Sequence, residues 1–164
     1  MEKIKNIMDK VLAGACALLL TFMTALITYQ VVVRYVFKSP STMSEDMLSY
    51  SFVWLSLLGS ALVFGQRDHM KVSIFSEKLT GAGKVILSVL SECIILVIVI
   101  CVFIFGGKEF MVVGALQMSP TLNIAMHWIY SILPLSGILI VIYNVINIIQ
   151  SIQEFNGERR EELL

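Results

Sequence analysis

Four apolar runs constrain this chain more than anything else in it. They lie at about Val11–Val33, Met47–Gln66, Val85–Gly107 and Trp128–Ile149, and Glu92 is the only charged residue inside any of them. A helix rises about 1.5 Å per residue, so each run is long enough to cross roughly 30 Å of hydrocarbon. Backbone amides in lipid have no water to bond, which leaves helix as the conformation for an isolated apolar run. Composition agrees. Charged residues are 15% of the chain and the mean hydropathy is +0.85, against about 25% charged residues in soluble domains. The expected fold class is all-α integral membrane, with four transmembrane helices in a single membrane domain over residues 1–164. The short connections leave little room for a soluble catalytic domain.

The first run follows MEKIKNIMDK and so imitates a secretory signal. Val11–Val33 is 23 residues long, and a signal core has about 7–15. It is therefore read as a retained first span, with Ala13, Gly14 and Ala17 as a small-residue contact face near its start. Arg34, Tyr35 and Phe37 read as anchors at the membrane–water boundary.

The next connection, KSPSTMSED, contains Pro40, which cannot continue a helix. Thr42 with Glu45 fits a capping box, and Ser44 is a rival cap. Carboxylates Glu45 and Asp46 then sit at the positive end of the second helix. That helix is not uniformly greasy. Ser49, Ser56, Gly59 and Ser60 recur along it, and at about 100° per residue the three serines fall within one narrow arc. Lipid gains nothing from such a stripe, whereas a packed neighbouring helix does, because small residues let backbones approach. These four residues are candidates for a subunit contact.

After the second span comes RDHMKVSIFSEKLTGAGK, in which Ile74, Phe75 and Leu79 alternate with Ser76, Glu77 and Lys78. This pattern predicts a short helix lying on the membrane surface. The third span is the most apolar, and FMVVGALQ allows it to continue toward Gln117. A turn around Pro120 precedes the fourth span, where Trp128 and Tyr130 read as interface anchors. Pro134 and Gly137 predict a kink within it.

Positive charge is distributed unevenly. Lys3, Lys5, Lys10, Arg67, Lys71, Lys78, Lys84, Arg159 and Arg160 fall on one side of the four spans, leaving Arg34, Lys38 and Lys108 on the other. The positive-inside rule places both termini, and the surface helix with His69, in the cytoplasm.

Few groups could carry chemistry. Glu92 lies eight residues beyond Lys84, about 12 Å along a helix. It must be paired, hydrogen-bonded, close to water or protonated. Its readings are a coupling-ion or proton site, a polar contact within the chain or to another subunit, or a surface residue if the helix begins a turn later. His69 and His127 are assigned to opposite faces, which rules against a haem held by both. Cys16, Cys93 and Cys101 lie in apolar runs without metal-ligand spacing. No catalytic constellation is present, so the chain reads as a non-enzyme with no cofactor of its own. Neither an internal repeat nor a set of mid-membrane polar groups marks it as a transporter acting alone. The alternatives are a membrane anchor for a peripheral enzyme, or a small self-sufficient exporter using Glu92.

Several short motifs occur in a fixed order: RYVF at Arg34–Phe37, SED at Ser44–Asp46, SFVWLSLLGSA at Ser51–Ala61, HMKV at His69–Val72, Ser119-Pro120, and Trp128, Tyr130 and Pro134 in a W-x-Y-x-x-x-P pattern. In these, nearly the whole chain resembles the small permease subunit of tripartite ATP-independent periplasmic (TRAP) transporters. It departs from the family's usual residues at Met43, Asp46, Ser73 and Ala125. The resemblance implies a four-helix subunit of the bacterial inner membrane, paired with a large permease subunit that holds the substrate and sodium sites. A periplasmic solute-binding protein would deliver a carboxylate solute, such as a C4-dicarboxylate or, on overall likeness, sialic acid. Membrane lipid is the remaining partner, and nucleic acid is not one. Under this resemblance Ser49, Ser56, Gly59, Ser60 and Glu92 are subunit-interface candidates. Arg34, Tyr35, Glu45, His69, Trp128 and Tyr130 become interface anchors.

Overall fold

A computed structural model describes residues 2–39, 41–66 and 82–161. The expected surface helix between the second and third spans, with His69, lies outside the described residues. The elements are α1 (Glu2–Tyr35), α2 (Thr42–Gly65), α3 (Ala82–Val99), a π-helical stretch (Ile100–Gly106), α4 (Gly107–Ala115), α5 (His127–Tyr130) and α6 (Ile132–Glu161). Among the described residues, four stretches are long and apolar enough to cross a membrane: Lys5–Tyr35, Thr42–Gly65, Val89–Ala115 and His127–Ser151. Each expected run coincides with one of them, with the ends shifted. The third continues past Gly106 and Gly107 because the chain changes from α to π winding there and back again without unwinding.

Helix α1 gathers Lys3, Lys5, Asp9 and Lys10 in its first turns and is then apolar as far as Arg34. Its 34 residues correspond to about 51 Å, well beyond one hydrocarbon thickness. Thr21, Thr24 and Thr28 each donate to the carbonyl four residues back, at 2.8, 2.8 and 2.9 Å. The helix ends at Tyr35, and Lys38 follows with a φ of 53°.

The start of α2 corrects the expected cap. Ser41 occupies the cap position with extended backbone and no side-chain bond, while Thr42 is already helical. Ser44 donates backwards to the Ser41 carbonyl at 2.9 Å. The proposed Thr42–Glu45 box is therefore one residue out of register.

The fourth span also differs from expectation. It is interrupted at Ser131, between α5 and α6, and Pro134 falls in the first turn of α6. A proline there removes an N–H that has little to bond within the helix, so the break comes before the proline and not at it.

Packing follows the order span 1, span 2, span 4, span 3. Helix α1 packs along α2, α2 along α6, and α6 along α3, the π stretch and α4. At the end that carries α1's first turns, all four converge on a core of Leu12, Ala61, Val99, Ile140 and Tyr143. Two glycines make the close approaches possible. A Cβ on Gly65 would come within 2.5 Å of the Tyr143 ring, and one on Gly137 within 2.7 Å of the Phe103 Cβ.

Candidate functional site

Helix α2 has two unlike faces, and they define the site. One face holds Asp46, Tyr50 and Trp54, spaced four residues apart, so the side chains stack along the helix. Each reaches the segment that joins α4 to α6. The Thr121 hydroxyl donates to the Asp46 carboxylate. The Tyr50 hydroxyl donates to Ser119 Oγ at 3.2 Å and lies 3.8 Å from Met126 Sδ. Trp54 Nε1 donates to the Ile129 carbonyl at 3.1 Å. The joined segment is a small antiparallel turn, with Ser119 N–H donating to Ile124 O and Met126 N–H to Gln117 O. Asn123 sits in the left-handed region at φ 54°, which an asparagine tolerates better than most side chains. Ser119 is almost wholly buried beneath this clamp.

A second face of α2, about a quarter-turn round the helix, looks away from the rest of the chain. Ser49, Phe52, Val53 and Ser56 are exposed along it, with Glu45 at its head and Ser60 half-buried at its foot. Ser49 Oγ donates to the Glu45 carbonyl at 3.0 Å and Ser60 Oγ to the Ser56 carbonyl at 2.8 Å. Both O–H groups have their acceptor on their own helix and require none from a neighbour. Gly59 has nothing within 4 Å of where a Cβ would stand. The stripe expected from the sequence is thus a continuous outward surface with shallow relief, bordered by the Phe52 ring.

Glu92 lies elsewhere. It is 3% exposed, between α3 and α6. Asn144 Nδ2 donates to its Oε2 at 2.6 Å and to its backbone carbonyl at 3.1 Å. Its carboxylate is turned into the chain, away from the outer surface that carries the serines. A polar layer surrounds it at the same end of the molecule. Lys5 Nζ donates to Asn147 Oδ1 at 3.2 Å, Asn147 Nδ2 to the Phe64 carbonyl at 3.4 Å, and the Tyr143 hydroxyl to Asp9 Oδ1 at 2.6 Å. Together these bonds link all four spans.

The expected anchors divide. Arg34, Tyr35, Glu45 and Trp128 are exposed. Tyr130 is instead packed inward, its ring edge-on to Phe110 at 5.8 Å and pressed against Gly114. His127 lies beside the Trp128 ring at 5.1 Å. Among the described residues, no three His, Cys, Asp or Glu come together as metal ligands would. Residue spacing alone could have raised the Asp46–Tyr50–Trp54 ladder. It was obscured because a helix start already accounted for Asp46.

Comparison with known proteins gives the family. Residues 23–154 match the family described as tripartite ATP-independent periplasmic transporters, DctQ component. A putative TRAP transporter small permease protein of Haemophilus influenzae is 31% identical over 108 residues, 66% of each chain. A second such protein of that organism is 26% identical over 148 residues, 88% of each chain. The sialic acid TRAP transporter small permease protein SiaQ of Vibrio cholerae is 25% identical over 123 residues, covering 75% of this chain and 70% of the relative. With the match running from the first span into the last, the chain belongs to the DctQ family, as a small permease subunit of a TRAP transporter and not an enzyme.

Proposed function

We propose that this subunit braces a large permease subunit, and that the outward face of α2 is where the two meet. The observation that carries the reading is the contrast within α2. Its clamped face bonds to other parts of the chain, while Ser49, Ser56, Gly59 and Ser60 present small side chains outward, the Ser49 and Ser60 hydroxyls already bonded to their own helix. Helices in lipid associate through close packing of small residues, so such a face suits another transmembrane helix better than it suits acyl chains.

The substrate and sodium sites belong to the large subunit in this reading, and a periplasmic solute-binding protein supplies a carboxylate solute. The printed name of the Vibrio cholerae relative supports sialic acid as the first solute to try, with C4-dicarboxylates next. The system is a sodium-coupled symporter in the bacterial inner membrane. Both termini lie in the cytoplasm, supported by the excess of Lys and Arg on their side. Arg34, Tyr35, Glu45, His69 and Trp128 act at interfaces and not on the solute, whereas Tyr130 packs within the chain against Phe110 and Gly114. Glu92 is assigned an internal role, because its burial against Asn144 leaves it out of reach of the outer surface. The same burial disfavours an exporter working through this residue.

The test is co-purification with the large permease in mild detergent. Ser56→Leu with Ser60→Leu should leave the chain folded and reduce recovery of the partner by about tenfold, equivalent to roughly 1.4 kcal/mol. Unchanged recovery would place the contact on another face. Arg34→Ala and Glu45→Ala should leave solute affinity unchanged in the intact complex; a loss there would contradict the assignment to interfaces.

A further inference from the structure

We draw no further inference here: the strongest candidate, the outer edge of α1 where Gly14, Ala17, Thr21, Thr24 and Thr28 line an exposed stripe opposite the seam with α2, is a face of small residues whose threonine hydroxyls are bonded to their own helix, and nothing in the structure shows what covers it.

Discussion

Helix α6 and the serine-bearing side of α2 both carry polar residues through a membrane, yet they use them in opposite ways. On α6, Tyr143, Asn144 and Asn147 are almost completely buried, and they bond to α1, α3 and α2 in turn. On α2, Ser49, Ser51 and Ser60 each close on a carbonyl of their own helix. The difference follows from reach. A serine hydroxyl can return to the carbonyl four residues back. A carboxamide or phenol is usually placed too far out for that, and in an apolar interior it must find a partner on a neighbour. On α6 the large polar residues therefore report contacts already made within the fold. A small hydroxyl imposes no such requirement, and leaves the face free for whatever packs there.

The comparison breaks most visibly at Asn144. Replacing it with Leu leaves the Glu92 carboxyl without its amide donor, in a site that is 3% exposed. Leaving a buried acceptor without its donor costs ~1–3 kcal/mol. Asn144→Leu should lower the melting temperature of the detergent-solubilised protein more than any other single change considered. Adding Glu92→Leu should recover part of the loss, since both polar groups are then gone. If the double variant is as unstable as the sum of the two singles, the pair is not coupled and the contrast with α2 loses its strongest support.

How much of this was legible in advance depends on the same distinction. The four spans could be read directly, because length and apolarity decide them. The Ser49–Ser60 stripe could be read too, since it departs from an otherwise greasy run. The helix order 1–2–4–3 could not. Protein-facing and lipid-facing sides of a membrane helix are equally apolar, so periodicity does not separate them as it does in water. Nor could Glu92 be paired with Asn144; a single chain carries no signal of which distant residues meet. The Asp46–Thr121 contact is illegible in the sequence for a related reason. The place of Asp46 at a helix start gave it a sufficient local explanation, and its bond to Thr121 spans 75 residues of sequence.

Glycine sharpens the comparison within α2 itself. Gly65 lies under the Tyr143 ring, where a Cβ would approach to 2.5 Å, whereas Gly59 has open space. Overpacking a filled site costs about 1–3 kcal/mol. A glycine in a helix interior is worse than alanine by about 1 kcal/mol where nothing obstructs. Gly65→Ala should therefore destabilise and Gly59→Ala should stabilise slightly, by thermal unfolding of the isolated subunit. Two substitutions of identical chemistry, six residues apart, would move in opposite directions. A loss at both positions would mean that the Gly59 side is also occupied within the chain.

Tyr143 supplies a smaller effect. Its ring passes over Gly65 so that its hydroxyl meets Asp9 of α1 at 2.6 Å. Tyr143→Phe keeps the ring and its packing and removes only the hydrogen bond, worth ~1.5–3 kcal/mol when one partner is charged and less where water reaches it. The change should loosen the first turns of α1 with the rest of the fold intact, seen as faster amide exchange confined to that segment. Protection unchanged at α1 would show that Leu12 and the α1–α2 seam hold the helix without help from α6.

The smallest effect on the subunit should come with the largest effect on its assembly, and that pairing is the sharpest test of the two-face reading. Ser56 is exposed on the outward side of α2 and its carbonyl already accepts the Ser60 hydroxyl. Ser56→Ala leaves that bond in place and should alter stability by under ~0.5 kcal/mol, as surface substitutions do. Ser56→Leu should be nearly as mild for the isolated chain, because the added atoms point away from every helix of the fold. Against a neighbouring helix the same atoms would stand between two backbones whose close approach depends on small residues. Stability is then expected to stay level while recovery of the large permease falls, a separation that Asn144→Leu cannot produce because it damages both. Were the two quantities to fall together after Ser56→Leu, the outward face would be part of the subunit's own packing, and the distinction between the two faces of α2 would collapse.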